Sequence, residues 1–147
     1  MSKSDYLENA ILKLIFNATA IANIADNAAA SPLTNLYWAL HTADPGDAGN
    51  QSTSETTYGS YARQPVARTT GGMTAATAGS TSPVANVVFP AATSPTLPTV
   101  SSITYASIGV AVSGATNILY SGPVTPNINV STGVQPILTT ASTITED

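Results

Sequence analysis

The sequence predicts a mainly β chain, an antiparallel β-sandwich or barrel with an N-terminal α-helix. Helical periodicity is confined to residues 3–16. From residue 69 onward, short apolar runs are separated by closely spaced Gly, Pro, Ser and Thr, the pattern of a sandwich or barrel. After residue 35 no strand–helix series alternates, which argues against a doubly wound parallel sheet. No repeat of fixed period is visible. The expected organisation is a single β-rich domain over residues 1–147, with a helix in 1–17, strands across 36–147 and a long polar loop at 43–60.

In the helix, Leu7, Ala10, Ile11, Leu14 and Ile15 recur at i, i+3, i+4, i+7 and i+8. Ser4 suits the N-cap, Asp5 and Glu8 complement the macrodipole in the first turn, and Asn17 suits the end. Residues 18–35 are rich in Ala and Asn. Around Ile21 and Ile24 either a short helical turn or a short strand at Ala20–Ala22 fits, and Ser31-Pro32 stops it. Leu36-Tyr37-Trp38-Ala39-Leu40-His41-Thr42 holds the only Trp and the only His. At period two, Leu36, Trp38 and Leu40 share one face and Tyr37, Ala39 and His41 the other. Both faces are substantial, so this reads as a central strand. Asp44 precedes a proline, and Pro45-Gly46 suits the middle of a type II turn.

The polar stretch 43–60 follows, long enough to be functional or disordered. Residues 58–68 read as a strand, with Pro65 placing it at an edge or a bulge. Thr69–Gly72 is a turn. Val87 and Phe89 alternate up to Pro90, and 91–99 is a proline-containing loop. Ile103 and Tyr105 share one parity while Ile108, Val110 and Val112 share the other, predicting a bulge near Ala106-Ser107. Ser113-Gly114-Ala115 makes a turn. Ile118 with Tyr120, and Ile128 with Val130, form two alternating runs. Val134, Ile137 and Leu138 form another, and Ile144 lies in a short terminal strand.

Composition narrows the function classes. A chain of 147 residues buries roughly 68–70% of its unfolded surface, enough for a core. Charged residues make up only 8% against 43% hydrophobic, which is not the signature of disorder. The polar surface must come largely from Ser, Thr, Asn and Gln, a composition associated with proteins that rest against other proteins. Net charge is −4, and the basic residues are Lys3, Lys13, Arg63 and Arg68 alone. These cannot build a patch for nucleic acid. No cysteine is present, which excludes disulfides and thiolate chemistry. No segment approaches the ~18–20 apolar residues of a membrane span, and Asp5, Glu8 and Lys13 interrupt any signal-peptide core. Synthesis and folding in a cytoplasm are expected.

Candidate chemistry is thin. His41 with Asp44 or Asp47 and one of many serines would make a hydrolytic triad. No Gly-x-Ser-x-Gly elbow marks a nucleophile, so a strand-end histidine bonded to backbone or water is the better reading. Asp44, Asp47, Asn50 and Glu55 offer oxygen ligands on one loop, but their spacing does not match the EF-hand. An acidic solvated loop is the plainer account, with an ion shared between subunits left open. Gly71-Gly72 lacks the Lys-Ser/Thr of a phosphate loop. Arg63 and Arg68 are candidates to pair with the acidic loop, where exposed pairs contribute only ~0–1 kcal/mol. The Leu7/Ile11/Leu14 face covers either the domain's own core or a partner groove.

An ordered series of motifs covers nearly the whole chain. After the helix come Leu-Tyr-Trp-Ala-Leu-His-Thr-Ala-Asp-Pro-Gly-Asp (36–47) and Gly-Ser-Tyr-Ala-Arg-Gln-Pro-Val-Ala-Arg (59–68). Then follow Val87-Val88-Phe89-Pro90, Ser107-Ile108-Gly109, Leu119-Tyr120-Ser121-Gly122 and Ser142-Thr143-Ile144-Thr145. The series resembles a family of small tailed-bacteriophage virion proteins, seen as capsid decoration (cement) proteins and often labelled tail-fibre proteins. The resemblance implies a β-rich fold, no enzymatic activity, and binding to the capsid shell, commonly as trimers. No catalytic residues carry over.

The expectation is therefore a structural protein on the outer capsid surface of the virion, partnered by the phage major capsid protein and by itself as a homotrimer. No nucleic acid, membrane, metal or cofactor is expected. The alternative is a tail-fibre or tail-associated module that binds a receptor or glycan, for which Tyr58 and Tyr61 would serve. Expected contact residues are Leu7, Ile11 and Leu14 on the helix and Asp44, Asp47, Glu55, Tyr58 and Tyr61 on and beside the loop.

Overall fold

The computed structural model describes residues 3–25, 31–94 and 101–146. The elements run α1 (Asp5–Asn17), β1 (Asn35–His41), β2 (Gln64–Ala67), β3 (Ser80–Thr81), β4 (Val87–Val88), β5 (Ser101–Gly109), β6 (Ile118–Val130), β7 (Ile137–Leu138) and β8 (Ile144–Thr145). The chain is mainly β with one N-terminal helix, as the periodicity predicts. The strands form a four-stranded sheet in the order β2-β1-β5-β6 and two two-stranded ladders, β3-β8 and β4-β7. No helix among the described residues is long and apolar enough to cross a membrane. The expectations for residues 26–30 and for 95–99 of the proline-containing loop lie outside the described residues.

The chain packs as two compact units, each assembled from separated segments. The first takes residues up to Leu36, Val66–Asn86 and those from Leu138 onward. Ser4 caps its helix as expected, its hydroxyl accepting from the Leu7 N–H at 3.4 Å. The C-terminal end closes with Ala18 at φ +51, and the Thr19 N–H donates to the Lys13 carbonyl at 3.1 Å. The helix has no basic residue in its last turn. Arg68 supplies the missing cation, donating from Nε to the Ile15 carbonyl at 2.6 Å and from Nη2 to that of Leu14 at 2.9 Å. Its Nη1 reaches the Leu33 carbonyl at 2.7 Å.

Asn9 Oδ1 accepts from the Gly79 N–H at 3.0 Å, and Asn17 Nδ2 donates to the Met73 carbonyl at 3.2 Å. Lys3 and Glu146 form an ion pair. The buried helix residues are Leu12 and Phe16, within a core that also holds Ile21, Met73, Ala76 and Ile144. This corrects the expected stripe. At 3.6 residues per turn, Leu7, Ala10 and Leu14 lie on the opposite side of the helix from Leu12 and Phe16, and they stay half-exposed. Around Ile21 neither a helical turn nor a strand forms. The Ala25 N–H donates to the Ile21 carbonyl in a tight turn that buries Ile21 and leaves Ile24 exposed.

The second unit comprises Tyr37–Pro65 and Val87–Ile137. β1 is an interior strand of the sheet, with Leu36, Trp38, Ala39, Leu40 and His41 all buried. It pairs antiparallel with β5, Trp38 opposite Ile108 and His41 opposite Tyr105. β2, which carries Pro65, is at the sheet edge, where a missing donor costs no ladder bond. Residues 58–63 precede that strand rather than forming part of it. The irregularities of the β5–β6 ladder fall between Ile103 and Tyr105 and between Ile108 and Gly109, flanking the expected position at Ala106-Ser107. The two predicted runs at 118–120 and 128–130 are one 13-residue strand, β6, at the other sheet edge. It runs through Pro123 and Pro126 because an edge strand tolerates proline.

Candidate functional site

The polar loop 43–60 is built around a buried charge pair. Asp44 Oδ1 accepts from the Gly46 N–H at 2.9 Å and Gly46 adopts φ +68, but the backbone-bonded turn lies further on than the expected Pro45-Gly46, at Asp47-Ala48, where the Gly49 N–H donates to the Gly46 carbonyl at 3.0 Å. The loop then folds back on β1. The Thr42 N–H donates to the Ser54 carbonyl at 2.8 Å, and the Thr56 N–H to that of Leu40 at 2.9 Å. Arg63 sits beneath it, only 4% exposed. Its guanidinium forks onto Glu55, Nε to Oε1 and Nη2 to Oε2, both at 2.7 Å. Bidentate, charge-assisted bonds of this kind are the strongest side-chain hydrogen bonds available. Arg63 also donates to the Ala111 carbonyl at 3.1 Å and the Gly114 carbonyl at 2.9 Å, tying the loop to the turn between β5 and β6.

Gln51 completes the node. Its Nε2 donates to the Tyr37 carbonyl at 3.0 Å, and its Oε1 accepts from the Thr116 hydroxyl at 2.8 Å. The side chain passes so close to Gly109 that a Cβ there would lie 2.1 Å from Gln51 Cδ. Glycine is therefore required at that point of β5. The sequence pointed to an Arg63 pair with the acidic loop, and Glu55 is that partner, but the pair is buried rather than exposed. Arg68 instead binds helix carbonyls.

His41 is fully buried. Its Nδ1 meets the Thr53 carbonyl at 2.8 Å and its Nε2 the Ser107 hydroxyl at 2.7 Å. The carbonyl accepts only, so Nδ1 carries the proton and Ser107 donates to Nε2. Burial, chiefly, pushes the imidazole pKa below its ordinary value, opposed by the Thr53 carbonyl and Glu55. The expected carboxylate partners, Asp44 and Asp47, are exposed instead. Ser107 is buried with the histidine, so its hydroxyl is turned into the protein.

The remaining expected contact residues divide sharply. Tyr58 is 2% exposed, and its hydroxyl donates to the Pro90 carbonyl at 3.0 Å. Burial raises its pKa to about 12. Tyr61 is half-buried; it donates to Glu55 Oε1 at 2.9 Å and accepts from the Leu40 N–H at 3.0 Å. Its ring stacks on Phe89, with centroids 6.3 Å apart. Tyr58, Tyr61 and Glu55 are thus internal struts rather than surface groups. For the two tyrosines the sequence gave no sign of this, because Pro90 and Leu40 lie at distant positions. Asp44 and Asp47 stay at the surface, as do, in part, Leu7, Ile11 and Leu14. Among the described residues, no three His, Asp or Glu side chains gather as a metal site would require.

Beside α1, on the first unit, Tyr6, Asn9, Ala10, Lys13, Thr19 and Ile21 line a groove of about 270 Å³. Tyr6 is 65% exposed at its rim. On the second unit, Leu119 and Val112 are exposed, and along β6 only the terminal Val130 is buried. The sequence from Arg68 to Glu146 has no charged residue between them.

A family model described as podophage GP4 fiber I protein gp80 matches residues 2–145. No curated protein matches the chain.

Proposed function

The chain belongs to the podophage GP4 fiber I protein gp80 family, a family of tailed-phage virion proteins, and from that premise we propose that it is a capsid decoration protein. It binds the assembled shell through the major capsid protein, associates with further copies of itself as a trimer, and performs no chemistry. The observation that supports this reading is where the reactive and aromatic groups point. His41, Ser107, Arg63 and Tyr58 are buried and engaged with protein partners. Beyond a few carboxylates such as Asp44 and Asp47, the exposed remainder is largely apolar or uncharged, as at Tyr6, Ile24, Val112 and most of β6. Such a surface works by contact. Several modest contacts linked in one oligomer give avidity, and binding only the assembled shell stabilises it by mass action.

The word "fiber" in the family description favours a second reading, a tail-associated module on the virion. Tyr58 and Tyr61 do not supply its ligand site, since their hydroxyls are engaged internally. The two readings separate on one measurement. Quantitative mass spectrometry and imaging of purified virions should find the protein in many copies over the head. A few copies confined to the tail would overturn the decoration reading in favour of the second.

A further inference from the structure

The helix that opens the chain has more apolar surface than its own unit covers. Leu12 and Phe16 face the core. Leu7, Ala10 and Leu14 lie on the other side, half-exposed, and Tyr6 is exposed. A helix whose second face meets only water carries polar residues there. The groove of about 270 Å³ beside Tyr6, Ala10 and Ile21 is smaller than the ~300–1,000 Å³ of small-molecule sites. That size suits an anchoring side chain of another protein better than a free ligand.

The charge at the groove narrows the occupant further. Arg63 is paired with Glu55, Lys3 with Glu146, and Arg68 with the helix carbonyls. Lys13 lines the groove, and among the described residues its ammonium makes no hydrogen bond or ion pair. At 3.6 residues per turn Tyr6, Asn9, Ala10 and Lys13 share one side of the helix, while Glu8 lies on the side facing Gly79. Asn9 has both amide groups engaged, with Asp5 and Gly79. Among the described residues the ammonium is thus the groove's unpaired charge, and its complement is a carboxylate.

Resting on the decoration reading, we infer that this groove receives a segment of the shell subunit that presents an apolar side chain beside a carboxylate. The apolar side chain enters between Tyr6, Ala10 and Ile21, and the carboxylate meets Lys13 at the rim. A rim charge of this kind sets register and salt dependence, while the filled pocket sets lifetime.

The test is co-sedimentation of the purified full-length protein with shells assembled without it, at low and high salt. Wild type, Lys13→Arg, Lys13→Glu and Ala10→Trp are compared, with circular dichroism confirming that each variant is folded. Lys13→Arg is expected to bind as wild type. Lys13→Glu is expected to bind about tenfold or more weakly at low salt and to lose the weakening by salt that wild type shows. Ala10→Trp, which fills the groove, is expected to bind weakly at both salts. Folded Lys13→Glu and Ala10→Trp variants that bind like wild type would overturn the inference and leave the decoration reading standing. Wild-type protein that fails to sediment with shells would overturn both.

Discussion

Arg63 and Arg68 come from one short stretch of sequence, but each braces its own unit in a different way. Arg63, in the second unit, is buried against a carboxylate and the carbonyls of a distant turn. Arg68, in the first, meets neutral carbonyls at a helix end. Losing Arg63 leaves a carboxylate whose side chain is only 15% exposed without its cation, and that is costly because a charge largely out of water needs a partner. Losing Arg68 frees carbonyls that water can reach as the helix end frays. The second unit is therefore the brittle one, with its long loop rigid only while one charge pair is intact. The first unit yields locally.

The sharpest way to break this contrast is Arg63→Met. It leaves Glu55 without its bidentate partner and Gln51 with one donor fewer. The expected loss is ~3–5 kcal/mol, read by urea unfolding, with hydrogen exchange rising first in residues 50–56. Arg63→Lys is expected to recover little, because an ammonium cannot reproduce the planar fork. If Arg63→Met is within experimental error of wild type, the loop is not organised by the pair. Gly109→Ala comes next. Its added methyl would overlap the Gln51 side chain, and overpacking of this kind costs about 1–3 kcal/mol. Pairing it with Gln51→Ala, which removes the obstacle, should give less than additive losses.

The helix end is the softer test. Arg68→Gln removes the cation from the carbonyls of Leu14 and Ile15 and is expected to cost about 1–2 kcal/mol. Hydrogen exchange should accelerate in the last turn of α1 and leave β5 unchanged. Ser4→Ala acts at the opposite end of the same helix, with an expected loss of ~1 kcal/mol. Exchange that accelerates equally in the second unit for either variant would show that the two units do not respond separately.

How much of this was legible follows the range of the interactions. Ser4 as N-cap, β1 as an interior strand and Pro65 at a sheet edge are local signals, and each is where the pattern puts it. The buried side of the helix was not legible. Apolar residues ring most of its circumference, so the stripe Leu7/Ile11/Leu14 fits the period as well as Leu12/Phe16 does. The order of the polar loop was invisible because Arg63, Glu55, Gln51 and the 111–116 turn meet only after the chain has folded. The runs at 118–120 and 128–130 read as two although one edge strand joins them through Pro123 and Pro126, since the sequence does not reveal which strands lie at an edge. The same long-range blindness makes Tyr58 and Tyr61 look like loop-surface aromatics when they are internal supports.

The smallest expected effect comes from His41, within the brittle unit. Burial lowers its folded-state pKa below the ordinary 6.5, while the Thr53 carbonyl and Glu55 act in the opposite sense and Arg63 acts with burial. The unfolded chain then takes up the proton more readily than the folded one. Stability attributable to this histidine is fully present above pH 6.5 and is lost as pH falls through that value toward the folded-state pKa. Because the chain has a single histidine, unfolding free energy measured across this window reports on His41 and not on the carboxylates, whose ordinary values lie near 4. Protonation also removes the acceptor at Nε2 that Ser107 donates to, so the hydroxyl must rotate. His41→Gln is expected to be less stable at neutral pH, since it disturbs both hydrogen bonds, and to show no slope in this window. A slope that persists in His41→Gln would mean that another group near the node titrates there, and the buried imidazole would no longer account for the unit's response to acid.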